Sequence, residues 1–312
     1  MHPSRPALEI KNLKKYYGKY AALSDLNLVV PVGSIMGLVG PNGAGKTTAF
    51  AIVSGLLKAD GGSIDVLGNG TFNPVLHKGV LTLLPQDAQL PGHSRVRETL
   101  VFFGLLQGLT KKEAVFSADR ALEWVELADR ADALVSTLSH GMVRRLTVAQ
   151  AFIGNPALVL LDEPTSGLDP HQIVRIRELI SSFRGHRTIV ISSHVLSEIE
   201  AACDHIAFID NGCTTRQDKL DDVVGKQRQL TFILTKSIDH VPVDIIRACP
   251  ESTFTLDLDG RRLIASFTDA VSPAMINRKL LPVLLQEGID IDEVRRGSNL
   301  ETIYLENKIK QR

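Results

Sequence analysis

The residues most capable of chemistry form a glycine-rich run, Gly40-Pro41-Asn42-Gly43-Ala44-Gly45-Lys46-Thr47. The run fits the pattern GxxxxGK[ST] without a mismatch, and it lies between an apolar strand-like segment and an apolar helical segment. Glycines allow backbone N–H groups to turn inward, and the N-terminus of a helix adds unpaired donors and a positive dipole. The pattern therefore predicts a phosphate-binding loop, in which Lys46 reaches the β and γ phosphates and Thr47 ligates Mg²⁺.

Two adjacent carboxylates, Asp162 and Glu163, follow the apolar run Leu158–Leu161. Ligands of open α/β sheets bind at the carboxyl ends of the strands, which is where this pair is expected to lie. Asp162 suits the water shell of a bound Mg²⁺, and Glu163 suits a general base that polarises an attacking water. Combined with the phosphate-binding loop, the pair favours transfer of a phosphoryl group to water.

The elements that must position these residues alternate along the first two thirds of the chain. Strands are predicted at Leu8–Ile10, Leu26–Val30, Ile35–Val39, Ser63–Leu67, Leu158–Leu161, Thr188–Ile191 and His205–Ile209. Helices are predicted at Lys46–Leu57, Arg95–Gly108, Lys111–Leu127, Gly141–Ile153, His171–Phe183 and Leu196–Cys203. Apolar strands separated by helices indicate an α/β fold with a largely parallel sheet and a helical insertion at about residues 88–155.

Residues 226–312 have a pattern of their own and are predicted to form a second, smaller α+β domain after an N-terminal domain of residues 1–225. The predicted order is the strand Leu230–Leu234, the helix Val243–Ala248, a hairpin around Asp259-Gly260, the helix Pro273–Gln286 and the strand Ile289–Val294. This order is that of ferredoxin-like domains. A final helix is predicted at Leu300–Ile309, and no catalytic cluster is apparent in this domain.

Composition and charge exclude several classes of protein. With 312 residues the chain is too long for one ordinary domain, and 44% hydrophobic residues argue against disorder. The 35 Lys and Arg balance the 35 Asp and Glu, so the clustered positive charge expected of a nucleic-acid binder is not indicated. Apolar runs end well short of the roughly 20 residues that span a bilayer. We therefore expect a chain that does not itself cross a membrane.

Cysteine usage indicates a reducing compartment. The three cysteines, Cys203, Cys213 and Cys249, cannot form a disulfide framework and lack the close CxxC pairing of a zinc site. The first residues lack the apolar core of a signal peptide. A cytoplasmic location fits both observations.

The segment Asp162-Glu163-Pro164-Thr165-Ser166-Gly167-Leu168-Asp169-Pro170 resembles the Walker B motif and D-loop of ABC-transporter ATPases. Gln86, after Leu84-Pro85, resembles the glutamine of the Q-loop, and His194 resembles the switch histidine. Tyr17, before Gly18, resembles the aromatic residue that stacks on adenine, with the adjacent Tyr16 as a rival. These motifs occur in the family's order over about residues 7–215.

The resemblance implies a set of site residues and two ligands, ATP and Mg²⁺. The implied catalytic residues are Lys46, Gln86, Glu163 and His194. The implied ATP-binding residues are Tyr17, Gly40, Pro41, Asn42, Gly43, Ala44, Gly45, Lys46, Thr47, Thr48, Ser139 and Gly141. The implied Mg²⁺ ligands are Thr47, Gln86 and Asp162.

The segment Leu138-Ser139-His140-Gly141-Met142 resembles the signature motif but departs from its common LSGGQ form at two positions. His140 replaces a glycine and Met142 replaces a glutamine, whereas Ser139 and Gly141 keep the hydroxyl and the close backbone N–H suited to a γ-phosphate. This form, followed by Arg144-Arg145, resembles the drug and antibiotic exporter branch. The two changes leave the affinity for ATP and the turnover rate open.

In the resembled family two ATPase chains pack head to tail, so that Ser139 and Gly141 of one chain complete the ATP site of the other. Asp169 is then expected at the subunit interface, as a helix N-cap, or as both. The resemblance implies a homodimer or paired ATPase subunits, and separate membrane-spanning permease subunits that export a substrate. The chain would then be peripheral at the cytoplasmic face of the membrane, without a nucleic-acid partner.

Two alternatives to the exporter subunit remain at this point. One is a soluble ABC ATPase that acts on ribosomes or nucleic acid, and the other is a regulator that binds ATP without productive turnover. A single module without excess basic charge argues against the first, and the intact Glu163 and His194 argue against the second. For residues 226–312, a dimer-stabilising or regulatory role and a passive extension are both open.

Overall fold

The computed structural model describes residues 5–224, 228–257, 259–268, 271–297 and 300. The chain divides into two compact units between Asp218 and Lys219. Within the described residues, no helix combines the length and apolar character needed to cross a membrane.

The first unit is built on a nine-stranded sheet. Its strands are β1 (Leu8–Tyr17), β2 (Tyr20–Val30), β3 (Ile35–Val39), β4 (Gly61–Val66), β5 (Leu81–Leu84), β6 (Leu158–Asp162), β7 (Thr188–Ser193), β8 (His205–Asp210) and β9 (Cys213–Lys219). Their order across the sheet is β4-β1-β2-β9-β8-β3-β7-β6-β5. β8, β3, β7, β6 and β5 run parallel, whereas β1 pairs antiparallel with β2 and β4. The predicted α/β fold is confirmed, and its sheet is mixed, with the antiparallel pairs at one edge.

Six helices accompany the sheet in this unit. They are α1 (Lys46–Val53), α2 (Val96–Leu106), α3 (Lys111–Trp124), α4 (His140–Ala151), α5 (Pro170–Ser182) and α6 (Leu196–Ala202). Every residue of β3, β6 and β7 is buried, as expected for central strands covered on both faces. The residues that follow the carboxyl ends of these strands are therefore attached to the best-packed part of the sheet.

The helical insertion has its own apolar core. Val96 and Leu100 of α2 pack with Ala118 of α3 and with Leu146 and Ala149 of α4, all of them almost completely buried. The start of α3 is fixed by a capping box, in which Thr110 and Glu113 bond reciprocally to each other's backbone N–H groups. The helical spacing in the sequence predicted all three helices, with ends that differ by up to three residues.

An aromatic cluster joins the end of this insertion to the rest of the unit. The ring of Phe183, after α5, stacks on Phe152 at 4.6 Å and meets Trp124 edge-on at 5.1 Å. The Arg187 guanidinium lies 4.5 Å from the centre of the Phe183 ring and also faces the other two rings. Burial lowers the pKa of Arg187 to about 10, and the rings supply cation–π attraction where a carboxylate partner would be expected.

The sequence did not predict the strands β5 and β9, and it predicted only part of the hairpin formed by β1 and β2. β5 is a four-residue run, too short to give a clear pattern, and β9 is polar throughout. β9 is held by polar contacts, because the Gln217 side chain accepts from Val29 N–H at 3.0 Å and Thr214 accepts from Asn27 N–H at 3.2 Å. β1 and β2 extend to Tyr17 and Tyr20, whereas only Leu8–Ile10 and Leu26–Val30 were predicted.

The second unit contains α7 (Leu220–Val224) and a four-stranded antiparallel sheet with two helices. Its elements are β10 (Gln229–Leu234), α8 (Val243–Ala248), β11 (Ser252–Leu256), β12 (Arg262–Phe267), α9 (Pro273–Gln286) and β13 (Ile291–Arg296). The strand order β11-β12-β10-β13 is that of the predicted ferredoxin-like arrangement. The helix predicted at Leu300–Ile309 lies outside the described residues, apart from Leu300.

Candidate active site

The phosphate-binding loop connects the end of β3 to the start of α1, as the sequence predicted. Gly43 and Gly45 have φ angles of +81° and +102°, which residues with a side chain rarely adopt. A methyl group on Gly40 would lie 2.3 Å from the carbonyl oxygen of Ile209, and one on Gly45 would lie 2.6 Å from that of Ala22. Backbone conformation and close packing therefore both require glycine in this loop.

Lys46 is buried at the first position of α1 and points back along the loop. Its ammonium donates hydrogen bonds to the carbonyl oxygens of Gly40 at 2.8 Å and Pro41 at 3.1 Å. Burial lowers the pKa of Lys46, and the nearby charges of Glu163 and Asp162 oppose this shift. The loop thus holds a cation next to N–H groups at a helix N-terminus, an arrangement that suits a phosphate group.

Asp162 is the last residue of β6 and is 1% exposed. One of its carboxylate oxygens, Oδ1, accepts a hydrogen bond from the Ser192 hydroxyl of the adjacent β7. The other, Oδ2, is buried and has no hydrogen-bond partner among the described residues. A buried carboxylate oxygen without a partner is costly, and oxygen ligands are those that Mg²⁺ prefers, so Asp162 fits a cation site.

No group of three or more His, Cys, Asp and Glu side chains in the described part of the chain is placed to hold a metal ion unaided. A cation beside Asp162 would need further oxygen ligands from the Thr47 hydroxyl, the Gln86 amide, water or a phosphate. This ligand set is typical of Mg²⁺, which usually keeps several waters and binds substrate phosphates.

Glu163 directly follows β6 and has a φ of +47°, an uncommon conformation for a residue with a side chain. Its N–H donates to the carbonyl and hydroxyl oxygens of Ser192, at 3.2 and 3.0 Å. Its carboxylate oxygen Oε1 lies 3.1 Å from Nδ1 of His194. Ser192 therefore holds both acidic residues, and His194 is placed to orient the Glu163 carboxylate.

A cavity of about 460 Å³ brings most of the predicted residues together. It is lined by Tyr17, Tyr20, Ala22, Asn42, Gly43, Ala44, Gly45, Lys46, Thr47, Thr48, Gln86, Glu163, Ser166 and His194. Of the two predicted rivals for stacking, Tyr17 lines this cavity and Tyr16 does not. Gly40 and Pro41 lie at the base of the loop, where their carbonyl oxygens accept from Lys46.

Tyr20 is a residue of this cavity that sequence analysis missed. Its hydroxyl donates to the Gly43 carbonyl at 3.3 Å, and the residue pairs directly across the hairpin with Tyr17. The signal was present in the sequence, because two residues, Gly18 and Lys19, separate the tyrosines. A two-residue turn places its flanking residues opposite each other with their side chains on the same face.

Arg144 of α4 was noted in the sequence only as part of the pair after the signature segment, and the structure shows that it connects the helical insertion to the cavity. Its guanidinium is buried and donates to the carbonyl oxygens of Gln86 at 3.0 Å, Pro164 at 2.9 Å and Glu163. Burial lowers the pKa of Arg144, and the charges of Asp162, Asp87 and Glu163 oppose that shift. Three carbonyl oxygens from two loops thus depend on one side chain.

The predicted signature residues lie apart from the phosphate loop of their own chain. Ser139 caps α4, and its hydroxyl oxygen accepts from Met142 N–H at 3.3 Å. Neither Ser139 nor Gly141 lines the cavity around the loop. A second cavity of about 520 Å³ lies beside α4 and shares Gln86 and Ser166 with the first.

Asp169 caps the start of α5. Its carboxylate accepts from Gln172 N–H at 3.0 Å, and Pro170 occupies the first helical turn. The predicted role of Asp169 as an N-cap is thus present within the single chain.

Comparison with known proteins gives consistent results over most of the chain. A family model described as "ABC transporter" matches residues 23–166. The Nod factor export ATP-binding protein I of Bradyrhizobium diazoefficiens is 35% identical, with 98% of this chain and 97% of that protein covered. The bacitracin transport ATP-binding protein BcrA of Bacillus licheniformis is 37% identical, with 71% and 72% covered.

A solved structure of an ATP-binding subunit of an ABC transporter has the same fold. It matches this chain with a TM-score of 0.63 and 28% sequence identity. The match covers 70% of this chain and 91% of the solved chain.

Replacing Arg144 by lysine tests its role as a tie between loops. A lysine keeps the charge but cannot reach three carbonyl oxygens, so we expect Arg144→Lys to lower the free energy of unfolding by about 1–3 kcal/mol. Urea denaturation measures the change. Arg130→Lys, at an exposed position, is the matched control and should stay within about 0.5 kcal/mol of the parent. Equal effects of the two substitutions would contradict the proposed role.

Proposed function

The chain belongs to the ABC transporter ATP-binding family, and from this premise we propose that it hydrolyses ATP to drive export through separate membrane-spanning subunits. The observation that carries the proposal is the cavity in which Lys46, Glu163 and His194 surround the phosphate-binding loop. We assign residues 1–225 to the ATPase domain and 226–312 to an accessory domain. The division into two compact units supports two domains, and it lies a few residues earlier, between Asp218 and Lys219, so that α7 falls in the second unit.

In this proposal the triphosphate of ATP lies on the loop of residues 40–48. The backbone N–H groups and the Lys46 ammonium neutralise its charge, and the adenine stacks on the half-exposed ring of Tyr17. Tyr20 supports the loop from the same side through Gly43. Stacking and phosphate binding are thus supplied by two neighbouring strands and one loop.

A magnesium ion would be held by Thr47, Gln86 and Asp162, together with phosphate oxygens and water. The partnerless buried oxygen of Asp162 supports this assignment. When bound, the ion neutralises negative charge on the phosphates. The Ser192 hydroxyl donates to the other carboxylate oxygen of Asp162, Oδ1, and so fixes the orientation of this side chain.

Glu163 acts as the general base in the proposed reaction. A water attacks the γ-phosphorus, its proton passes to the Glu163 carboxylate, and the bond between the γ-phosphorus and the bridging oxygen breaks to leave ADP and phosphate. His194 orients the carboxylate through the 3.1 Å contact. Gln86 joins the cavity from the loop that Arg144 holds.

Ser139 and Gly141 act on the ATP of a second ATPase chain, either another copy of this one or a paired subunit. Neither residue lines the cavity around the loop of its own chain, which supports such a shared site. Contacts with the γ-phosphate would form only in the closed dimer, so ATP favours closure and hydrolysis releases it.

Export, rather than action on ribosomes or nucleic acid, is supported by the names of the relatives. Two of these proteins are named for Nod factor export and for bacitracin transport. The balanced charge of this chain also offers no general attraction to nucleic acid. We place the chain at the cytoplasmic face of a membrane, attached to its permease subunits.

Glu163→Gln tests the base directly. An amide cannot accept the proton from water, so we expect the rate of ATP hydrolysis to fall by at least about 100-fold, with ATP still bound and a dimer accumulating. Phosphate release and sedimentation measure the two effects. Glu123→Gln, on the exposed face of α3, is the matched control. Unchanged hydrolysis by Glu163→Gln would exclude this residue as the base.

Lys46→Ala tests the phosphate-binding loop. Removing the buried ammonium should weaken ATP binding by at least about tenfold, because a charge-assisted bond to phosphate is lost. Equilibrium binding of a fluorescent ATP analogue measures the affinity, with Lys112→Ala on the exposed surface as the control. An unchanged affinity would contradict the assignment of this loop.

The membrane partner is tested by isolating the tagged chain from its native membranes in mild detergent. We expect a protein with several apolar spans to copurify in a fixed ratio. Recovery of ribosomal proteins or nucleic acid in place of such a partner would favour the alternative function.

A further inference from the structure

Gln172 lies in the first turn of α5, and its main chain is held by the D-loop. Its N–H donates to the carboxylate of Asp169 at 3.0 Å, which is the capping bond of that helix. The position of the Gln172 backbone is therefore set by Asp169.

The side chain of Gln172 reaches the other motif, at the start of α4. A methyl group on Gly141 would lie 2.0 Å from Oε1 and 2.4 Å from Nε2 of this glutamine. The amide thus lies directly against the Cα of Gly141. Gly141 is absent from the glycines with positive φ, so a side chain at this position would disturb the amide rather than the backbone conformation.

Two further observations indicate that this contact belongs to a packed interface with the signature segment. Oε1 of Gln172 is buried and has no hydrogen-bond partner among the described residues, a cost that a freely moving surface amide would avoid by turning to water. Beside it, a methyl group on Gly167 of the D-loop would lie 3.5 Å from Cε1 of His140. The signature segment therefore faces the first turn of α5 through Gly141 and Gln172, and the D-loop through His140 and Gly167.

We propose that Gln172 is a positioning residue that fixes the signature segment relative to the D-loop. This contact holds Ser139 and Gly141 in a fixed position relative to Asp169. The three residues then form one surface that faces the second ATPase chain. The inference rests on the proposed function, since it concerns closure of the ATP-dependent dimer.

The inference gives Gly141 a second reason to be glycine. One reason is the approach of a γ-phosphate from the other chain, and the other is the Gln172 amide of the same chain. The atoms that a methyl group would meet are the end of a flexible side chain, so Gly141→Ala would displace the amide without moving either helix. Gly141→Ala and Gln172→Ala then remove the same contact.

A double-mutant cycle in the Glu163→Gln background of the full chain separates these two reasons. The measurement is the ATP concentration that gives half-maximal dimer in sedimentation. We expect Gln172→Ala to raise this concentration by about fivefold and Gly141→Ala to raise it at least as much, because the added methyl group also crowds the γ-phosphate. The double variant should match Gly141→Ala alone. A Gln172→Ala variant that behaves as the parent, or single effects that multiply in the double variant, would overturn the inference.

Controls separate positioning from stability and from ATP binding. Gln286→Ala, the same substitution on the exposed end of α9, should leave dimerisation unchanged. Binding of a fluorescent ATP analogue to the monomer should be equal in all variants, because none alters the phosphate loop. Failure of the parent Glu163→Gln to dimerise with ATP would overturn the proposed function itself, whereas a dimerising parent with a silent Gln172→Ala overturns only this inference.

Discussion

The parallel register of β3, β7 and β6 is the constraint on which the site depends. Val39 pairs with Ser193 and Asp162 pairs with Ser192, so three buried strands end in one row. The phosphate loop, the two carboxylates and His194 follow these three ends. A shift of one residue in any pairing would turn each side chain to the opposite face of the sheet and separate the groups.

Around this row, single side chains connect segments that are distant in sequence. Ser192 holds the Asp162 carboxylate and the Glu163 main chain, and Arg144 holds the loops that carry Gln86 and Glu163. Gln172 adds a contact between the first turn of α5 and the signature segment. The helical insertion is thus joined to the nucleotide cavity through buried polar contacts as well as apolar packing.

Much of this arrangement could be predicted from the sequence. Apolar strands, helical spacing and the glycine-rich loop were sufficient for the central strands, the helices and the phosphate-binding residues, because these depend on local patterns. Tyr17, Gln86 and His194 carry no such pattern, and they were predicted from the resemblance to a known family. β9 was missed because it is polar and pairs through side-chain contacts, and the role of Arg144 was missed because its partners are carbonyl oxygens. Every residue has a backbone carbonyl oxygen whatever its side chain is. The sequence therefore does not show which carbonyl oxygens a distant arginine will contact. Tyr20, by contrast, was predictable from the two-residue turn.

The aromatic cluster around Phe183 contains the sole tryptophan of the chain. Trp124 lies at the junction of the helical insertion with the rest of the unit, within 5.3 Å of the Arg187 guanidinium. The indole emission of this protein therefore comes from one place, and a cation beside the ring makes it sensitive to small displacements. The four tyrosines do not contribute when indole is excited selectively. The protein thus carries an intrinsic optical reporter at this junction, and its motion can be followed in real time without attaching a dye.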